Sequence, residues 1–229
     1  MKTEPDLSPK CASPITDINR QPKSKSGRVT MEDQLELMVK YLVHLQFYSE
    51  EEDVIFSRDK KTRIHVPEAR GVVKAFEEYL KKDLHLIREG RYSEYLEEVA
   101  KSLPIRTTEV EWEFQKNYRE VTEDGLTDEL AANFLIGPIR STIQTREFEV
   151  SMERVKREAR RRLPGPLEDT TVDTRLAHLY SSNDRTVALL HNLTFLRLLA
   201  SLFGEPESYQ SIDSLVREHS EELISKLVE

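Results

Sequence analysis

Six cations fall within nine residues of this sequence: Arg154, Lys156, Arg157, Arg160, Arg161 and Arg162, opposed inside that span only by Glu158. Guanidinium and ammonium groups at this density bind anions, either the phosphates of a nucleic acid or the carboxylates of an acidic protein surface. Met152, Val155 and Ala159 recur through the same stretch at helical spacing. They define an inward face and fan the cations over the others. The tract also has the composition of a nuclear-localisation signal. A shorter basic set, Lys60, Lys61 and Arg63 with Arg58 beside it, lies in residues 54–66. The competing explanation is structural. Cations in the last turns of a helix are favourable against its macrodipole, and 42 acidic residues are available to pair with them.

Other chemistries find less in the chain. Loops that cradle phosphate need clustered glycines, and the seven here stand singly. None of the six histidines has a second histidine four residues away or a glutamate three residues before it, the spacings that build helical metal sites. Cys11 is the single cysteine, so there is no disulfide framework and no cysteine-based metal site. Carboxylate pairs such as Glu77-Glu78, Glu97-Glu98 and Glu221-Glu222 are adjacent in sequence and do not share a helical face, so they are expected to be solvated surface. No catalytic residue, metal ligand or cofactor is therefore nominated.

The elements that must position these groups are mainly helices. Residues 186–203, closed by Gly204-Glu205-Pro206, are apolar around nearly the whole circumference. A helix of that kind is surrounded by other elements. Its length of about 27 Å approaches a membrane thickness. Arg197 in mid-span, with His191 and Asn192, makes a buried core helix the better reading. These three polar residues either line a pocket or, as buried polar groups generally do, bond to neighbours in a packed interior. For Arg197 the expected partner is a carboxylate such as Asp173 or Asp184.

Before this helix, residues 1–28 hold four of the ten prolines, few apolar residues and a charge of +3. They are expected to form a flexible polar tail, in which Ser8-Pro9 and Ser13-Pro14 match proline-directed phosphorylation sites. Met31, Leu35, Met38, Leu42 and Leu45 then give a helical seam, and residues 54–66 read as a β-hairpin. One helix is expected to carry Val73, Phe76, Leu80, Leu84 and Ile87 from Pro67 to Gly90. Another begins at a Ser93 cap, and residues 109–115 favour helix over strand. Thr127 caps a further helix that Gly137-Pro138 should kink or break. The last helix, residues 212–228, turns Ile212, Leu215, Val216, His219, Leu223 and Leu227 to one face. That face either closes the domain or presents Leu215, Leu223 and Leu227 to a partner.

The expected fold is therefore mainly all-α, a multi-helix globular domain with a central buried helix, one short hairpin and the N-terminal tail. A helical region over 29–163 and a second over 167–229 either form two subdomains around Pro164-Gly165-Pro166 or one domain. The formal net charge of −8 excludes a general attraction for nucleic acid or anionic membranes, so any such binding needs a local patch. The leading functional expectation is a non-enzymatic helical protein-interaction or regulatory protein with a protein partner. The alternatives are a nucleic-acid-binding regulator using residues 153–163 and the hairpin, and an enzyme whose site residues are noncontiguous. Self-association is left open. With no apolar N-terminal stretch of the secretory kind, an intracellular location, cytoplasmic or nuclear, is expected.

Overall fold

The computed structural model describes residues 30–57, 60–120, 125–163 and 168–229. The expectations for residues 1–28, Cys11 and the Ser-Pro dipeptides included, lie outside the described residues, as do Arg58 and the Pro164-Gly165-Pro166 linker. Among the described residues the fold is helical, with nine helices and one small antiparallel sheet. Met31–Glu229 forms one compact unit.

Helix α1 (Met31–Phe47) buries Leu35, Val39, Leu42, Val43 and Phe47. The seam expected from residues 31, 38 and 45 is displaced, because Met31 and Leu45 are exposed. The stripe that packs is the one containing the β-branched valines. The chain then enters β1 (Tyr48–Ser49), β2 (Val54–Phe56) and β3 (Arg63–His65), paired in that order. The hairpin is present, with Ile55 opposite Ile64. Strand β1 was not foreseen, since two residues are too few to show an alternation. Its connection to β2 is tied by Asp53, which accepts from Tyr48 Oη at 2.8 Å and from Arg70 at 2.7 and 3.0 Å.

The single helix expected up to Gly90 is divided into α2 (Ala69–Lys81) and α3 (Leu84–Arg88). Asp83 leaves the helical region at φ −119°, ψ 26°, which lets Leu84, Leu86 and Ile87 turn inward together. Gly90 ends α3 in the left-handed region at φ +70°, with the Arg91 amide donating to Leu86 O at 2.8 Å. This is a Schellman-type terminus. Helix α4 (Tyr92–Ala100) starts before Ser93, and Arg91 occupies the cap position instead. Helix α5 (Thr107–Glu120) places Val110 and Phe114 in the core and leaves Trp112 62% exposed. Helical periodicity thus prevails over the local alternation.

Helix α6 (Asp128–Arg162) begins at Thr127, whose side chain accepts from the Leu130 amide at 3.3 Å. It runs without a break through Gly137-Pro138. Pro138 is itself buried between Leu135, Ile136 and Ile139, all fully buried. Packing around this turn offsets the roughly 3 kcal/mol that an interior proline costs. Helices α7 (Glu168–Ser181), α8 (Arg185–Phe203) and α9 (Pro206–Val228) complete the fold.

Helix α8 is the central element, packed by α2, α6, α9 and β2. It is the one helix among the described residues long and apolar enough to cross a membrane. It serves here as the core helix, with Leu189, Leu190, Leu193, Phe195, Leu196 and Leu199 fully buried. The Phe195 ring meets Phe47 and Phe76 edge-on at 5.3 and 5.8 Å, joining α1, α2 and α8. Asp184 caps its start by accepting from the Thr186 and Val187 amides. In α9, Leu223 and Leu227 are fully buried. They close the core and are not presented outward.

Candidate functional site

The long helix α6 changes character along its length. In its first half, residues face the core on several sides, with Ala131, Ala132, Leu135, Ile136, Ile139 and Ile143 all buried. The α1, α5 and α8 helices all pack on α6. In the second half only Phe148, Ser151, Met152, Val155 and Ala159 remain buried. These lie on one side of the helix, so the opposite side is open. Val150 is 43% exposed there, and Arg154, Arg157 and Arg161 follow at i, i+3 and i+7 on the same exposed face.

The six cations divide into two groups. Lys156 is ion-paired with Glu153, and Arg160 reaches Asp173 of α7 at 3.3 Å. Arg162 bridges Glu158, at 3.1 Å, and Glu221 of α9, fastening the end of α6 to α9. The paired Glu221 carboxyl is held below its ordinary range mainly by the hydrogen bonds from Arg162. These three cations therefore act within the fold. Arg161 is 70% exposed and has only a 3.5 Å contact to Glu158, one turn away. Arg154 and Arg157 are exposed and make no ion pair with any described residue.

The hairpin cations stand apart from this face. Lys60 and Lys61 are exposed, and Lys60 adopts a left-handed conformation at φ +59° in the turn. Arg63 pairs with Glu52 at 2.7 Å and lies over the Phe56 ring at 5.4 Å. The hairpin is anchored where Phe56 O accepts from the Asn192 side chain, which in turn accepts from Gln144 of α6. From Gln144 to Arg160 is 16 residues, or about 24 Å along the helix. The two basic sets are carried by different elements.

The polar residues of α8 are engaged internally. Asn192 makes the two bonds just named, and His191 stacks edge-on against Phe148 at 5.1 Å. Arg197 pairs with Asp213 of α9 at 3.5 Å and contacts Ser151 at 3.4 Å. The expected partners are taken elsewhere, Asp173 by Arg160 and Asp184 by Lys226 at 2.8 Å. Asp213 lies on the helix that packs most extensively on α8, and its position relative to Arg197 is set by the α8–α9 turn.

One charged cluster contradicts the sequence expectation. Glu77 is 5% exposed and not solvated surface. Its carboxylate lies 2.5 Å from His44 Nε2 of α1 and is also ion-paired with Lys81. Burial raises the pKa of such a group, but the hydrogen bonds and charges of His44 and Lys81 outweigh it and bring Glu77 down to about 2. A signal was present in the chain, because Glu77 stands four residues after Val73 and three before Leu80, within the buried stripe of α2.

A polar groove of about 490 Å³ runs between α5 and α6, lined by Glu109, Glu113, Ser141, Thr145, Arg146 and Glu149 among others. Arg146 donates across it to Pro104 O at 3.2 Å. Among the described residues, no group of three or more histidine, cysteine, aspartate or glutamate side chains is placed to hold a metal ion. No protein-family model, curated protein or solved structure matches the chain. What the geometry offers is a strip of three exposed guanidinium groups about 10.5 Å long, mounted on a helix whose other side is locked into the core.

Proposed function

We propose that this protein is a non-enzymatic helical interaction module whose exposed arginine face on α6 receives the carboxylates of an acidic partner protein. The observation that carries this reading is the contrast within one helix. Lys156, Arg160 and Arg162 are used to hold the fold together, whereas Arg154 and Arg157 are exposed without an ion pair to any described residue. Guanidinium groups on a rigid helix are pre-organised for bidentate carboxylate contacts. The buried polar side chains that might serve a reaction are instead engaged with one another, Asn192 with Gln144 and Phe56 O, and His44 with Glu77.

An acidic protein fits this face better than a nucleic acid for two reasons. The strip is short, with Glu147, Glu149 and Glu153 immediately before it and Glu158 inside it. A continuous row of phosphates would meet those acids, while discrete carboxylates can be placed between them. The net charge of −8 adds to the repulsion of a polyanion.

The test is fluorescence anisotropy of the full chain with a labelled oligoglutamate peptide, a duplex oligonucleotide and a single-stranded oligonucleotide, each over a salt series. The peptide is expected to bind at low salt and to lose affinity in the Arg154→Glu/Arg157→Glu variant. Preferential, steeply salt-dependent binding of an oligonucleotide through the same arginines would install the nucleic-acid reading in its place. Absence of binding to all three probes would sink both.

A further inference from the structure

We infer that the acidic partner is a second copy of this chain, which docks the exposed face of its α5 helix on the arginine face of α6. This inference rests on the reading of the arginine face given above. Helix α5 carries the most exposed large apolar side chain in the described part of the molecule, Trp112 at 62%. Around it on the same face stand Glu109, Glu113 and Lys116, at positions i, i+3, i+4 and i+7 when Glu109 is taken as i. Glu113 makes no ion pair with a described residue. Glu109 has only a surface pair to Arg106 at 3.0 Å, with both side chains largely in water. Such a pair contributes little and exchanges readily.

The two faces match in length and chemistry. Seven residues separate Glu109 from Lys116 and seven separate Arg154 from Arg161, so each strip is about 10.5 Å long. The indole of Trp112 already holds one cation, Lys116 Nζ at 5.5 Å from the ring centre. Its other face is suited to a guanidinium, which stacks on indole more favourably than an ammonium does. Glu109 and Glu113 supply carboxylates to the remaining arginines.

The face on α5 and the face on α6 are different surfaces of one molecule. Association through them either closes reciprocally into a two-fold dimer or propagates head-to-tail, and in both cases each contact joins α5 of one copy to α6 of the other. The pairing of two unlike faces provides its test.

Sedimentation velocity of the full chain at low and high salt, over a range of concentrations, reads the assembly directly. The wild-type protein is expected to sediment faster with concentration at low salt and to lose that dependence at high salt. The Arg154→Glu/Arg157→Glu variant and the Trp112→Ala/Glu113→Lys variant should each be monomeric. Mixed together they retain one intact face apiece, and should form a one-to-one dimer that grows no further. All four positions are exposed or at the rim, and unchanged melting curves of both variants will confirm their folding; Glu113→Lys alone is the reserve variant should Trp112→Ala perturb α5. A wild-type chain that stays monomeric at low salt overturns the inference. If it then still binds oligoglutamate through Arg154 and Arg157, the arginine-face reading stands without it. Association that survives in the Trp112→Ala/Glu113→Lys variant, or a mixture that stays monomeric, also overturns it.

Discussion

Glu77 carries a charge buried between His44 and Lys81. Its depressed pKa fixes the sign of the pH dependence. The stabilisation is present above the unfolded carboxyl value near 4.5 and is lost as pH falls through about 2. Substituting Glu77→Gln should lower stability at neutral pH by about 2–4 kcal/mol, because it removes the carboxylate that pairs with Lys81 and lies against His44. It should also flatten the loss of stability between about pH 4.5 and 2, as read by chemical denaturation at each pH. Asn192 and Gln144 form the second buried polar site, tying α8 to α6 and to the hairpin. Replacing Asn192 by Leu strands Phe56 O and the Gln144 amide, at a cost of about 1–3 kcal/mol. Because Gln144→Leu breaks part of the same network, the double variant should cost less than the sum of the single ones in a thermal-melt cycle.

At the scale of elements, the close approach of the α8 terminus to α2 sets a limit on Gly204. A β-carbon there would lie 2.8 Å from Ala200 O and 3.1 Å from the Val72 side chain. The φ of −94° is open to any residue, so the constraint is space and not conformation. Gly204→Ala is expected to destabilise the fold by about 1–3 kcal/mol through overpacking, measurable by denaturant midpoint. Helix α9 is a structural member of the same assembly. Besides its buried Leu223 and Leu227, Lys226 contacts Asp184 at 2.8 Å and Thr186 Oγ1 at 2.8 Å, and Arg175 donates to Leu227 O at 2.5 Å. Deleting residues 206–229 should abolish the cooperative thermal transition, since it uncovers α8 along its length. The adjacent acids Glu221 and Glu222, which read as plain surface in the sequence, take part in this closure through Arg162 and Lys226.

For the whole molecule, charge is distributed so that a chain of net −8 keeps a short cationic strip on α6 among the described residues. Binding there should be salt-sensitive but with a shallow slope, because only the three exposed guanidinium groups exchange counterions. The slope of log affinity against log salt for an oligoglutamate peptide should therefore be well below that of proteins making six to ten phosphate contacts. Arg154→Glu/Arg157→Glu should remove the binding while leaving the melting curve in place, since neither residue is paired within the fold. The same substitution at Arg160 and Arg162 should lower stability, because those arginines join α6 to α7 and α9. This difference between neighbouring residues of one basic tract is a property of the assembled molecule.

Periodicity and capping alone determine the helical class, the central position of residues 186–203, the hairpin, the Thr127 cap and the basic tract itself. Each depends on neighbours within one or two turns, and local spacing records such neighbours faithfully. The choice among the six cations was not available to that reading, because partners such as Asp173 and Glu221 are brought alongside only by the packing of α7 and α9 on α6. For the same reason Arg197 finds Asp213, Glu77 finds His44, and Pro138 sits inside a continuous helix. A residue's period tells which face it shares. What that face meets is decided by contacts between elements far apart in sequence, and there the tertiary structure alone assigns burial, partner and charge state.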